Sequence, residues 1–184
     1  MAVLPSWAVA GRAKWTNSGP VRPDFAIVPN SRQESVWDYP RPPRVVSDDR
    51  LVSIRVGEVL VAHATNCLRV LETASPPTFY LPSGSIRAGS LESSDTTSQC
   101  EWKGVAAYLD LILDGTRFER VAWYYPEPFS EYEELRDYVA FYPGRVDCYV
   151  GDERVLPQLG GFYAGWVTAE LVGPWKGEPG SEGW

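Results

Sequence analysis

Lysine is rare in this chain, and every lysine is next to a tryptophan. Of the seventeen basic residues only three are lysines, and they occur in the pairs Lys14-Trp15, Trp102-Lys103 and Trp175-Lys176. Lysine differs from arginine in carrying a compact charge that can lose its proton when it is buried, and an aromatic ring attracts that charge. Two of the pairs continue into glycine, as Trp-Lys-Gly. These positions are therefore the first candidates for a functional site.

The stretch "CEWKG" combines a thiol, an indole and an amine in four residues. In a regular strand Cys100 and Trp102 share one face, while Glu101 and Lys103 share the other. Cys100 and Lys103 can meet only at a bulge or a turn, which Gly104 makes possible. The functional interpretation is a thiolate near an ammonium, or a lysine that binds an acidic ligand beside a tryptophan wall. The structural interpretation is a buried thiol, a core indole and a lysine stem packed along a ring.

Other candidates lie in three further segments of the chain. On a predicted helix in "CLRVLE", Arg69 and Glu72 form either a surface ion pair or a carboxylate presented at the mouth of a cleft. The segment "AWYYPEP" offers Tyr125 as an aromatic wall, and Lys176 belongs to a glycine- and tryptophan-rich C-terminal strap. We therefore predict Lys103, Cys100 and Glu72 as catalytic candidates, and Trp102, Tyr125, Lys176 and Arg69 as ligand-binding candidates.

Charge and cysteine usage exclude several classes of protein. A net charge of −7, with no basic run longer than two residues, disfavours binding to nucleic acid or to an anionic membrane. No stretch approaches eighteen apolar residues, so the sequence predicts no membrane span. Three scattered cysteines and one histidine predict neither disulfides nor a metal site, and favour a cytoplasmic location. Phosphate-binding and dinucleotide-binding loops are missing from the sequence, so no organic cofactor is predicted.

The elements that must position these residues are mostly strands. Eight Trp, ten Tyr, sixteen Pro and sixteen Gly favour a β-rich fold with many turns. We expect an extended N-terminal arm over residues 1–34 and a domain over 35–184, closed by the C-terminal strap. Alternating segments predict hairpins with turns near Gly57, at Asp114-Gly115 and at Gly151-Asp152. Short helices are predicted within 64–77 and 128–139, the second with a Ser130/Glu133 capping box, and a loop over 83–98.

Several blocks of the sequence together resemble one known family. The blocks "ESVWDYPRPP", "RVLETASPPTFYLP", "CEWKGVAAY", "AWYYPEP", "YVAFYP" and "GGFYAGWVTAELVGPWKGEPGSEGW" are similar, in this order, to the family called domain of unknown function 427. The resemblance runs from about residue 12 to the C-terminus. It implies a mainly β, β-tent-like domain without structural zinc. The family is also labelled nucleotidyltransferase-like, but Asp110 and Asp114, four residues apart, do not support a two-metal site.

Two functions remain open at this point. The first is binding of a small acidic or phosphorylated metabolite in an aromatic-walled cleft, with Lys103 supplying the charge. The second is a protein interaction module that uses an exposed aromatic strap. The sequence leaves undecided whether the protein is an enzyme and how many copies associate. A concave pocket at Trp102 and Lys103 would favour the metabolite, and a flat exposed patch with Trp175 and Trp184 would favour a protein partner.

Overall fold

The chain folds into β-sheets with a few short helices. A computed structural model describes residues 4–19, 21–177, 179–181 and 183–184. Within these residues the one α-helix is α1 (Ser6–Arg12), and the 3-10 helices are Val36–Asp38, Ser83–Ser85 and Ser130–Leu135. The strands are β1 (Glu34–Ser35), β2 (Arg44–Asp48), β3 (Val52–Val56), β4 (Val59–Ala64), β5 (Cys67–Glu72), β6 (Ser75–Pro82), β7 (Leu91–Cys100), β8 (Gly104–Leu113), β9 (Thr116–Tyr124), β10 (Tyr138–Phe141), β11 (Asp147–Val150), β12 (Glu153–Arg154), β13 (Leu156–Pro157), β14 (Trp166–Val167) and β15 (Leu171–Val172). The mainly β fold predicted from the sequence is confirmed.

Two sheets contain most of the strand residues of the described chain. The larger sheet has seven strands in the order β2-β5-β6-β10-β9-β8-β7, and the smaller has four in the order β12-β11-β3-β4. All neighbours in both sheets are antiparallel. Near the chain ends, β1 pairs with β15 in parallel and β13 pairs with β14. In the described part of the chain, no helix is both long and apolar enough to cross a membrane.

Both faces of the larger sheet are covered in its centre. One face, here called the inner face, packs Phe79, Leu81 and Phe141 against Ile54 and Val61 of the smaller sheet. The opposite, outer face carries a second apolar cluster that is rich in tryptophan and tyrosine. Because strand side chains alternate, neighbouring residues of one strand enter different cores. The candidate site residues belong mainly to the outer face.

The three predicted hairpins are confirmed. β3 and β4 turn near Gly57, β8 and β9 turn at Asp114-Gly115, and β11 and β12 turn at Gly151-Asp152. Asp114 and Gly115 both have positive φ values, 48° and 79°. That geometry is the one expected for the primed turn of a two-residue hairpin, because it matches the twist of the strands.

The predicted helix within 64–77 is wrong, because β5 and the start of β6 occupy that segment. Every residue of β5 from Cys67 to Leu71 is buried, so the strand shows a continuous apolar run rather than alternation. A short run of this kind cannot be distinguished from a buried helix by its period. Pro76 and Pro77 do not end a helix. They lie in β6 where its register with β5 shifts, a position that tolerates the missing N–H groups.

Three other local predictions need correction. The predicted loop over 83–98 contains most of β7, a polar strand at the edge of the larger sheet. The Ser130/Glu133 capping box is not formed: Phe129 is the N-cap of a 3-10 helix, and the Ser130 hydroxyl donates to Glu131. The N-terminal arm over 1–34 is not simply extended, since it contains α1; its residues 1–3 and 20 lie outside the described residues.

Candidate functional site

A cavity of about 250 Å³ lies on the outer face of the larger sheet. It is lined by side chains from β5, β6, β7, β8 and β9, from the turn after β7, from the loop 158–165 and from both ends of the chain. Six of the seven predicted site residues line it: Glu72, Cys100, Trp102, Lys103, Tyr125 and Lys176. The seventh, Arg69, does not.

Arg69 belongs to a different environment, so its prediction as a ligand-binding residue is not supported. In the strand β5 it lies on the opposite side from Val70, and its guanidinium is 5.6 Å from the Phe79 ring of the inner core. It donates to the carboxylate of Glu34 at 2.9 Å and is 3.7 Å from that of Asp48. The expected helical pairing with Glu72 is absent because a strand turns successive side chains to opposite faces.

Residues 101–103 form the tight turn between β7 and β8. Cys100 pairs with Gly104 across the hairpin, so the turn alternative of the sequence prediction is the one found. Gly104 has φ 108°, and a Cβ there would be 3.3 Å from the Glu127 carbonyl oxygen. The Phe129 N–H donates to the Lys103 carbonyl at 3.1 Å. The turn therefore directs Cys100, Trp102 and Lys103 into one cavity, which a regular strand could not do.

The N-terminal arm holds this turn from the outside. The Arg12 Nε donates to the Glu101 carbonyl at 2.8 Å, and the guanidinium lies 5.1 Å from the Trp102 ring centre. A Cβ at Gly11 would come within 2.7 Å of the Glu101 side chain, so the close approach of α1 depends on that glycine. The Trp15 indole N–H donates to the Glu101 carboxylate at 2.5 Å. The arm is therefore part of the site.

The C-terminal strap places the second lysine. The Lys176 N–H donates to the Ala74 carbonyl at 2.8 Å, and the Gln158 side chain donates to the Lys176 carbonyl at 2.5 Å. These two hydrogen bonds fix the backbone of Lys176 at its N–H and at its carbonyl group. The residue as a whole is only 4% exposed. Its Nζ lies 3.6 Å from the centre of the Trp15 ring. The lysines of two separate Trp-Lys-Gly segments thus line the same cavity.

Lys103 has a largely buried side chain whose ammonium is in direct contact with no acceptor among the described residues. It is 8% exposed, and within the described residues its ammonium forms neither a hydrogen bond nor a salt bridge. Burial alone would lower the pKa of Lys103, but the neighbouring acidic groups Cys100, Tyr80 and Glu72 outweigh it, and the pKa lies above its ordinary value. Glu72 is already paired with Arg41, whose Nε is 3.3 Å from its carboxylate. Lys103 is therefore charged at neutral pH.

Lys176 differs from Lys103 although both line the cavity. Burial, and after it the Arg41 guanidinium, lowers the pKa of Lys176 to about 8 against the opposing effect of Glu72 and Glu101. Arg41 lies 4.4 Å from the same Trp15 ring that Lys176 contacts. The two amines thus have pKa values shifted in opposite directions, which is an arrangement common at functional sites.

The remaining cavity surface is aromatic and hydroxylated. Trp102 is 6% exposed, and its indole N–H has no acceptor among the described residues. Burial is the largest cause that raises the pKa of Tyr125 and of Tyr80, so both phenols stay protonated and can donate. Aromatic residues that the sequence analysis did not assign to the site also line it: Trp15, Tyr80, Tyr108, Trp123, Tyr142, Phe162 and Tyr163.

The described residues of the site do not form a candidate metal centre. No cluster of three or more His, Cys, Asp or Glu side chains that could bind a metal ion occurs in the part of the chain that the structure describes. Cys67 and Cys148 are buried, and burial raises the pKa of both thiols, which makes them inert. Only Cys100 of the three cysteines lines the cavity.

The fold and the cavity define a mainly β protein with a buried, aromatic and cationic site. The family model described as domain of unknown function (DUF427) matches residues 44–152. This match covers more than half of the chain, so the protein belongs to that family, as the sequence blocks indicated. No curated protein gives a match to the chain.

Proposed function

We propose that the protein binds a small anionic metabolite, a carboxylate or a phosphate ester, in this cavity. One observation carries the proposal: the Lys103 ammonium is buried at the cavity wall without a hydrogen bond or ion pair in the described residues. Nearby acidic groups raise the pKa of Lys103, so the side chain is an ammonium, but within the described residues it makes no direct contact with any of them. An anionic ligand would accept the hydrogen bonds that this ammonium can donate, so the cavity favours an anion.

The charges around the cavity favour a single negative charge on the ligand. Lys103, Lys176 and Arg41 supply three positive charges when protonated, while Glu72 and Glu101 supply two negative charges. The excess of one positive charge matches a carboxylate more closely than a phosphate monoester, whose charge at neutral pH is about −1.5 to −2. Arg12, which stacks outside the cavity on Trp102, is already compensated by its salt bridge to Glu131 at 3.2 Å and does not change this balance.

The size and the walls of the cavity favour a compact, flat ligand. A volume of about 250 Å³ is below the range of roughly 300–1,000 Å³ that is usual for drug-sized ligands. The rings of Trp123 and Tyr142, whose centres are 4.6 Å apart, offer an aromatic surface. The phenol of Tyr125, which burial keeps protonated, offers a donor to the ligand's oxygens. A ligand of this kind is typical of cytoplasmic metabolism, which is the location we propose.

The alternative of a protein interaction module receives less support. Trp184 stacks on Phe25 at 5.1 Å between ring centres and contacts Trp37 at 5.4 Å. Trp175 packs against the same apolar cluster, so neither tryptophan of the strap belongs to a flat exposed patch. These rings close the domain, whereas Trp102 and Lys103 line a concave site.

A thermal-shift screen of the whole chain against small carboxylates and monophosphates tests the proposal. A ligand at a hundred times its Kd adds about 2.7 kcal/mol, which raises the Tm of a chain of this size by roughly 5–10 °C. Lys103→Met should abolish the shift, and Lys14→Met, which removes an exposed lysine, should keep it. If a hit gives the same shift with Lys103→Met, the assigned role of Lys103 is refuted. If no compound gives a shift, the interaction module becomes the better explanation.

A further inference from the structure

The cavity holds two amines whose environments differ. Lys103 remains an ammonium and suits the binding of an anion. Lys176 lies at the same cavity, and among the described residues its amine has no hydrogen bond and no salt bridge, only the rings of Trp15 and Tyr163 at 3.6 and 5.6 Å. A fixed cation and an amine that can become neutral, both lining one cavity, are the pair needed to bind an acid and to attack its carbonyl group.

We propose that Lys176 forms an imine with the carbonyl carbon of a small 2-oxo acid or aldehyde acid, whose carboxylate binds Lys103. This inference rests on the proposed function, because it uses the same cavity and the same anion site. It adds the chemical class of the ligand and a covalent step. The aromatic walls favour a flat substituent on the oxo acid.

The position of Lys176 supports a nucleophilic role. Its backbone is fixed by hydrogen bonds to Ala74 and Gln158, so the side chain enters the cavity from a defined point of the strap. A nucleophile held in place reacts faster because less orientational freedom is lost in the transition state. The groups that contact it or act on its charge come from the arm, the segment before β2, β5, the turn after β7 and the loop 158–165: Trp15, Arg41, Glu72, Glu101 and Tyr163.

Only the neutral amine can attack a carbonyl group, and the cavity increases its population. With the pKa of Lys176 lowered to about 8, roughly a quarter of the amine is neutral at pH 7.5, against about one part in a thousand for an ordinary lysine. The Trp15 ring attracts the charged form, but Arg41 lies over the same ring and opposes a second positive charge. Lys103 cannot take this role because it remains protonated.

The proposed step is balanced without an oxidant or a reductant. The lone pair of the Lys176 Nζ forms a bond to the carbonyl carbon, and the carbonyl π electrons move to its oxygen, which takes up a proton. Transfer of the nitrogen's proton to solvent and protonation of the hydroxyl group then release one water molecule and leave the imine. When the imine is protonated, its positive charge adds to that of Lys103 beside the bound carboxylate, so the charge complementarity is kept.

Reductive trapping of the whole chain tests this inference. The protein is incubated at pH 7.5 with sodium cyanoborohydride and either pyruvate or phenylglyoxylate, and the adducts are located by peptide mass spectrometry. The chain has only three lysines, and exposed Lys14 serves as the internal reference. We expect labelling of Lys176 to exceed that of Lys14 by at least about tenfold, since the neutral amine is far more populated there. Lys176→Arg should lose this adduct, and Lys14→Arg should keep it.

The outcomes separate this inference from the proposed function. Thermal shifts with the same acids, measured without the reductant, report binding alone. An adduct on Lys176 that forms in the wild-type protein and is lost in Lys103→Met supports both proposals. A thermal shift without an adduct, or with Lys14 labelled as strongly as Lys176, overturns the imine and leaves the binding function intact. If neither acid nor any other anion gives a shift or an adduct, both proposals fail.

Discussion

Replacing Lys176 by Met should make the stability of the protein depend less on pH. In the wild-type protein the folded state lowers the pKa of Lys176 to about 8, while the unfolded chain restores its ordinary value of 10.5. Between these values the unfolded chain binds more protons than the folded chain, so the free energy of unfolding rises with pH. Below pH 8 the full penalty for a buried ammonium is present, and above about pH 10.5 it is gone.

The size of the effect follows from the environment of Lys176. A drop of the pKa from 10.5 to about 8 corresponds to an upper limit of about 3 kcal/mol. Contact with the open cavity and the attraction of the Trp15 ring at 3.6 Å reduce that figure, and we expect about 1–2 kcal/mol. Met fills a similar volume without a charge. From pH 7 to pH 10, the free energy of unfolding of the wild-type protein should therefore rise by this amount relative to that of Lys176→Met.

Denaturant unfolding of both proteins at pH 7, 8, 9 and 10 measures this difference. Other titrating groups cancel, because they are the same in the two proteins. Lysine labelled with ¹³C at Cε gives an independent readout, since the chain contains three lysines and each yields one signal. A titration midpoint near 8 for the Lys176 signal is expected. A stability difference that stays constant from pH 7 to pH 10 would refute the reasoning and with it the basis for the imine.

Two further predictions concern packing around the cavity. Gly177→Ala should destabilise the protein by about 2–4 kcal/mol in urea unfolding, because φ is 120° and the new Cβ would lie 2.2 Å from the Leu159 carbonyl oxygen. Gly180→Ala, also at positive φ but with nothing within 4 Å, should cost only about 1 kcal/mol; equal costs would contradict the close approach. Trp102→Phe should cost about 1–2 kcal/mol less than Trp166→Phe, because the Trp166 indole donates to a buried carbonyl at 3.0 Å whereas the Trp102 indole has no acceptor in the described residues. Equal losses in thermal unfolding would indicate that Trp102 is already satisfied.

The sequence located the site better than it described the elements around it. Lysine next to tryptophan is an unusual local signal, and it marked Lys103 and Lys176 without any knowledge of the fold. Trp15 belonged to the third pair and lines the cavity, although its own lysine is exposed. That the three segments meet could not be predicted, since it depends on the ends of the chain returning to the outer face of the sheet.

The local errors have physical causes that the sequence does not show. A strand buried on both faces, such as β5, loses the alternation that identifies strands, and its leucines then imitate a helix. An edge strand such as β7 has few buried side chains and can be as polar as a loop. Arg69 was assigned to the site through the false helix. Arg69 pairs instead with Glu34, which is thirty-five residues away in the sequence. A local sequence pattern cannot predict a contact over that separation.

The segment that the family model matches covers only part of the cavity. Residues 44–152 contain the anion anchor at Lys103 together with Cys100 and the aromatic residues that β6, β8 and β9 contribute. Trp15, the loop 158–165 and Lys176 lie outside that segment and supply the remaining wall. In the proposed function, the matched segment supplies the cation that binds the ligand, and the flanking segments supply the amine that reacts with it.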